Sequence, residues 1–297
     1  MLVAARNIQV CYGSRIALDG FGFDMAPGET AAILGPNGSG KTTFFRLCLG
    51  LLRHSKGRIE IMGGPPGNLH SLSKIGATIE SPSLCGHLSA LDNLKMTAHL
   101  KGKRPTNALA GLIREVGLSD AKSAPVSTYS LGMRQRLALA QALVGEPELL
   151  ILDEPTIGLD PAGIRWFREW ITAASANRSL SVLFSSHILN EVAQIAQKVV
   201  LLKNAKVRFA GTLDELKGAG SRKIRIKTTD ISHAHAFLQS QGLSAAVEND
   251  ALILDCPMEQ RPEIASLLVR SGHGLLEFAG LEPTLEDRYL SIMEKGE

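Results

Sequence analysis

Apolar and polar residues alternate over residues 2–10 and 16–25, with a break at Tyr12-Gly13-Ser14. A period of two marks a half-buried strand, so this stretch predicts two antiparallel strands leading to a turn at Pro27-Gly28-Glu29. The pattern then changes. Thr30-Ala31-Ala32-Ile33-Leu34 is an unbroken apolar run that reads as a buried strand, and Thr43 to Leu52 reads as a helix. Shorter strands are predicted at Gly57–Met62 and Lys74–Glu80. From Ser81 to about Gly145 the pattern is mostly helical, with loops at 101–106 and 123–128. Further short β-like runs follow at Glu148–Leu152, Leu180–Ser185 and Lys198–Leu202, separated by helical segments at Ala162–Ala176 and Ile188–Gln197. Strands alternating with helices predict a parallel sheet, here with a helical subdomain inserted at about 81–147.

The pattern shifts again at Lys217-Gly218-Ala219-Gly220-Ser221, which reads as a linker. Beyond it come a strand (Lys223–Thr228), a helix (Ser232–Gln241), two strands (Ser244–Glu248 and Ala251–Asp255), a helix (Glu259–Ser271), a strand (Leu275–Ala279) and a last helix (Thr284–Glu294). Gly242 and Gly272 stand where helix ends favour glycine. Thr284 and Asp287 have the spacing of a capping box. The β-α-β-β-α-β order predicts a small α+β domain of ferredoxin-like fold. The expected organisation is therefore an α/β domain over 1–218 and an α+β domain over 222–297.

Composition narrows the classes. Of 297 residues 44% are hydrophobic and 21% charged, enough for a sizeable core, and the net charge is only +3. With no basic tract, a nucleic-acid partner is not expected. Cys11, Cys48, Cys85 and Cys256 are scattered without a Cys-x-x-Cys pair, which predicts reduced packing residues. No apolar stretch reaches the ~18–20 residues that cross a bilayer, and the first residues lack a signal-peptide pattern. Work at a membrane would need a second chain to supply the span. Arg222–Lys227 alternates basic and apolar residues as a strand with a solvated face does, and His233 and His235 lack the companions of a metal site.

The chemistry concentrates after the first buried strand. Gly35-Pro36-Asn37-Gly38-Ser39-Gly40-Lys41-Thr42 has the spacing of a phosphate-binding loop between a strand and a helix. Its glycines let successive N–H groups converge on an anion, and the helix N-terminus adds a positive dipole end. Lys41 is expected to reach the β- and γ-phosphates and Thr42 to bind Mg²⁺. Leu149–Leu152 ends in Asp153-Glu154, two carboxylates at the carboxyl edge of a strand, where open α/β sheets bind ligands. Asp153 would hold Mg²⁺ and Glu154 would polarise the attacking water. His187, at the end of another strand, is placed to hydrogen-bond a γ-phosphate. Ser130 is the expected N-cap of the helix Leu131–Val144, and Gly132 permits close backbone approach, which together would make a second anion-binding helix end.

In this order and spacing, the four elements resemble the nucleotide-binding subunit of an ABC transporter over residues 1 to about 215. The resemblance makes Gly35–Thr43 the Walker A loop, so that Thr43 joins the nucleotide contacts. It makes Leu149–Glu154 the Walker B strand with its catalytic glutamate, Ser130–Gln135 the signature, Gly158-Leu159-Asp160 the D-loop and His187 the switch histidine. Tyr12 matches the aromatic that stacks on adenine. The resemblance also implies ATP and Mg²⁺, a head-to-tail dimer in which one subunit's signature closes over ATP held by the other, and a multi-span permease at the cytoplasmic face of the membrane.

Two departures from the family pattern stand out. The signature reads Tyr129-Ser130-Leu131-Gly132-Met133, keeping the Ser and the second Gly. Glu80 replaces the usual glutamine that contacts Mg²⁺ or the attacking water, so an oxygen ligand is kept and a charge added. Ile79–Ser83, Leu88–Leu94, Tyr129–Arg136 and Leu285–Leu290 are similar to segments of bacitracin-resistance and lantibiotic self-protection transporters. The expected activity is ATP hydrolysis powering export of a peptide antibiotic. The alternatives are export of lipid, metal or polysaccharide, a soluble ABC ATPase acting on DNA or ribosomes, and a nucleotide-binding regulator that does not hydrolyse.

Overall fold

The first two strands, β1 (Val3–Tyr12) and β2 (Arg15–Met25), form a hairpin in the computed structural model, which describes residues 1–80, 83–178, 180–217, 223–281 and 284–294. The chain continues through β3 (Thr30–Leu34), α1 (Lys41–Cys48), β4 (Lys56–Ile61), a single turn α2 (Leu69–Leu72) and β5 (Ile75–Thr78). The helical insertion comprises α3 (Ala90–Leu100), α4 (Ala108–Glu115) and α5 (Leu131–Leu143). Then follow β6 (Leu149–Leu152), α6 (Pro161–Arg178), β7 (Ser181–Ser186), α7 (Leu189–Ile195), β8 (Lys198–Lys203), β9 (Lys206–Thr212) and α8 (Leu213–Lys217). The chain divides into two compact units, Met1–Leu213 with the final residues from Ile292, and Asp214–Ser291.

In the first unit a six-stranded sheet runs β5-β6-β7-β3-β8-β9, and a three-stranded antiparallel sheet runs β2-β1-β4. All neighbours in the larger sheet are parallel except β8 and β9. β9 and the short helices α2 and α8 are absent from the sequence reading. The β8–β9 turn is Asn204-Ala205, both with positive φ (51° and 64°), as a two-residue hairpin requires. Alanine at the second position, where glycine would advertise the turn, hides it.

One apolar core joins the two sheets through α1, with Phe21, Phe44 and Phe45 fully buried and the Phe21 and Phe44 rings 4.2 Å apart. The helical insertion has its own core, built on Leu94, Ile113, Val116 and Leu137. It is tied to the sheet where α5 lies on β5. A Cβ on Gly76 would stand 2.1 Å from the Ala142 carbonyl oxygen, so the close approach needs glycine there.

The second unit contains β10 (Lys223–Thr228), α9 (Ile231–Ser240), β11 (Ala245–Glu248), β12 (Ala251–Asp255), α10 (Arg261–Arg270), β13 (Leu275–Gly280) and most of α11 (Leu285–Glu294). Its sheet is antiparallel in the order β11-β12-β10-β13. Ile224 and Ile226 face its core while Arg225 and Lys227 stay partly exposed. Thr284 and Asp287 form the reciprocal capping box: Asp287 N–H donates to Thr284 Oγ1 (3.1 Å) and Thr284 N–H to Asp287 Oδ2 (2.8 Å). Residues 218–221 of the expected linker, Ser81 and Pro82 at the start of the helical insertion, and Arg222 at the start of the basic strand lie outside the described residues.

Candidate functional site

β3, β6 and β7 are parallel neighbours, with Leu34 opposite Ser186 and Leu152 opposite Phe184, so their carboxyl ends open on one edge. The loop after β3 leads directly into α1. Gly40 caps that helix at φ 116°, and a Cβ there would meet the Ala17 carbonyl at 2.5 Å. Gly35 serves a different purpose: its Cβ would stand 2.2 Å from the Leu202 carbonyl, so glycine lets the loop leave against β8.

Inside the loop Lys41 is 6% exposed. Its Nζ donates to the carbonyls of Gly35 (2.7 Å) and Pro36 (3.3 Å). It also lies 3.1 Å from Glu154 Oε1, an ion pair whose angle makes no hydrogen bond. Glu154 Oε2 lies 2.8 Å from His187 Nδ1. Thr42 Oγ1 donates to Asp153 Oδ2 at 2.6 Å. Among the described residues, the buried hydroxyl of Ser39 and Oε1 of Glu154 have no hydrogen-bond partner, which leaves polar capacity for a ligand. Thr42 and Asp153 bring two hard oxygen donors together beside the loop, as Mg²⁺ requires, so the residues fit that ion.

A cavity of about 470 Å³ opens over these groups, lined by residues 37–43 and by Tyr12, Arg15, Ala17, Arg46, Glu80 and Glu154. Tyr12, 43% exposed, is the one aromatic side chain among the described residues that lines it. Glu80, at φ 59°, turns its carboxylate to Arg46 of α1. A larger cleft of about 1070 Å³ lies near α4 and the amino-terminal ends of β6 and β7. It is lined by Leu109, Leu112, Val144 and Leu180, at the sheet edge opposite the phosphate loop, so its size does not make it the reactive site.

Ser130, Gly132 and Asp160 stand outside the phosphate-loop cavity. Ser130 Oγ accepts from Met133 N–H (3.2 Å) and caps α5. Asp160 Oδ1 accepts from Gly163 N–H (2.8 Å) at the start of α6, so within one chain it is a helix cap. A Cβ on Gly132 would meet Leu159 Cδ2 at 3.5 Å, which sets the start of α5 against the 158–160 loop.

Three side chains escape the sequence reading. Arg15 pairs with Tyr12 across the first hairpin and brings a guanidinium to the cavity, without a hydrogen bond or ion pair among the described residues. Arg46 holds Glu80, and Ser185 touches Asp153 and Glu154. The hairpin register is the one sequence signal for the first. The other two have none, because each depends on strands or helices distant in sequence.

A phosphate loop after β3, an Asp-Glu pair after β6 two strands away and a histidine after β7, the strand between them, define a nucleotide-binding α/β protein of the P-loop class. The ABC transporter family profile matches residues 18–157. The bacitracin transport ATP-binding protein BcrA of Bacillus licheniformis is 32% identical over 300 residues, covering 99% of this chain and 98% of that one. The lantibiotic transport ATP-binding protein SrtF of Streptococcus pyogenes is 38% identical over 206 residues, 69% of this chain and 89% of that one. A solved ATP-binding subunit of an ABC transporter superimposes with TM-score 0.66 at 29% identity, over 73% of this chain and 92% of that one. The chain belongs to the ATP-binding subunits of ABC transporters, an ATPase family. Among the described residues no helix is long and apolar enough to cross a membrane.

Proposed function

We propose that this chain hydrolyses ATP to drive export of a peptide antibiotic through a separate multi-span permease, on whose cytoplasmic face it sits. The observation that carries the hydrolytic reading is the continuous polar chain from Lys41 through Glu154 to His187, beside the Thr42–Asp153 contact. The loop N–H groups, Lys41 and Thr43 hold the phosphates, and Tyr12 stacks on the base. Thr42 and Asp153 would hold Mg²⁺, with Glu80 lining the same cavity, and the ion would supply charge neutralisation at the phosphates. Glu154 orients and polarises the attacking water, and His187 fixes the Glu154 carboxylate and senses the γ-phosphate.

Ser130, Gly132 and Asp160 act on nucleotide held by a second subunit. Their positions at the starts of α5 and α6, away from the cavity of their own chain, support a head-to-tail dimer. The ATP-binding domain spans 1–218, with the helical subdomain as the permease contact, and 222–297 is an accessory domain. The peptide cargo is supported by relatives named for bacitracin and lantibiotic transport, the former similar along the whole chain.

The test is Mg²⁺-dependent ATP hydrolysis by the purified chain beside Glu154→Gln. The variant should lose about 10²–10⁴-fold in kcat, the size of a lost general base, and accumulate as an ATP-bound dimer. Full activity in Glu154→Gln would refute the assigned role. For cargo, cells carrying the chain with its permease should tolerate bacitracin-like or lantibiotic peptides better than cells carrying Glu154→Gln; equal sensitivity would point to another substrate.

A further inference from the structure

Ser185 is fully buried near the end of β7, and its hydroxyl touches both carboxylate residues of the neighbouring strand end. Oγ donates to Asp153 Oδ1 at 2.6 Å and accepts from the Glu154 backbone N–H at 2.8 Å. The first bond divides the Asp153 carboxylate. Oδ1 is committed to Ser185, which leaves Oδ2 facing Thr42 at 2.6 Å. The second bond falls on an unusual backbone position, since Glu154 has φ 48°, a left-handed conformation uncommon outside glycine. That turn sends the Glu154 side chain back between Lys41 and His187. One hydroxyl therefore sets the rotation of the expected metal ligand and anchors the turn that aims the expected general base.

We infer that Ser185 is a positioning residue of this ATPase site, which orients Asp153 toward Mg²⁺ and Glu154 toward the attacking water and itself touches neither the ion nor the water. The inference rests on the ATPase reading of the same site. Removing the hydroxyl leaves Asp153 Oδ1 and the Glu154 N–H without that partner in a site closed to solvent on that side. Partners of this kind typically govern metal affinity or activity by about 10–100-fold.

The test compares wild type, Ser185→Ala and Ser185→Cys, the last keeping a donor at the same branch of the side chain, larger and weaker than the hydroxyl. Thermal melting without nucleotide checks the fold. ATP binding is titrated in EDTA, then at fixed ATP with Mg²⁺ as the varied component, and kcat and KM are measured separately. Ser185→Ala should bind ATP in EDTA as wild type does, need about tenfold or more Mg²⁺ for half-saturation, and lose kcat with KM little changed. Ser185→Cys should fall between. Wild-type Mg²⁺ dependence and kcat in folded Ser185→Ala would overturn the assignment. So would an equal loss of ATP binding in EDTA, which would make Ser185 a packing residue for the whole pocket. If wild type itself binds no ATP, the ATPase reading fails, and the Ser185 assignment falls with it.

Discussion

An ammonium as buried as that of Lys41 must be compensated, and here two carbonyls and a carboxylate do it. That arrangement keeps a positive charge at the floor of the cavity, where the converging N–H groups of the loop already favour an anion. Arg15 adds a second cation at the rim. Its guanidinium has no intramolecular partner among the described residues, so its charge is available to a bound polyphosphate. Arg15→Ala should weaken ATP binding about tenfold, the cost of one charge-assisted hydrogen bond. A fluorescence titration with unchanged affinity would remove Arg15 from the site. Glu80 differs from both: paired with Arg46, it is partly neutralised before any ligand arrives.

At the scale of elements, the phosphate loop and the carboxylate strand were legible because both signals are local. Glycine spacing dictates the loop, and an unbroken apolar run dictates the strand. The Thr284–Asp287 capping box was legible for the same reason. β9 was not, because Asn204-Ala205 carries the left-handed backbone of a hairpin without its usual glycine. The seat of α5 on β5 was also invisible in sequence, since nothing local distinguishes Gly76 from any other glycine. Its cause is the Ala142 carbonyl, sixty-six positions away in the chain and 2.1 Å from where a Cβ would lie. Gly76→Ala should destabilise the first unit by about 2 kcal/mol or more through overpacking, read as a lower midpoint in urea. An unchanged midpoint would mean that α5 can move off the strand at no cost.

At the scale of the whole molecule, the two groups of candidate site residues named in the sequence separate in space: Lys41, Glu154 and His187 form one site, and Ser130, Gly132 and Asp160 lie apart from it. A head-to-tail dimer predicts complementation. Lys41→Ala and Ser130→Arg chains, each inactive alone, should regain partial ATPase activity when mixed, because one of the two sites in a mixed dimer keeps both intact halves. No recovery, with mixed dimers demonstrated by cross-linking, would refute the head-to-tail arrangement.

The sequence by itself determined the phosphate loop, the Asp153-Glu154 strand end, the two-part organisation it predicts and the resemblance that names the family. Each is written in residues adjacent along the chain, where glycine geometry, apolar runs and capping spacing act locally. Only the tertiary structure decided what holds the site in shape. Ser185 against Asp153 and Glu154, Arg46 against Glu80, and Lys41 against Glu154 are contacts across strands and helices far apart in sequence. Such contacts are fixed by sheet order and register, which no local pattern encodes.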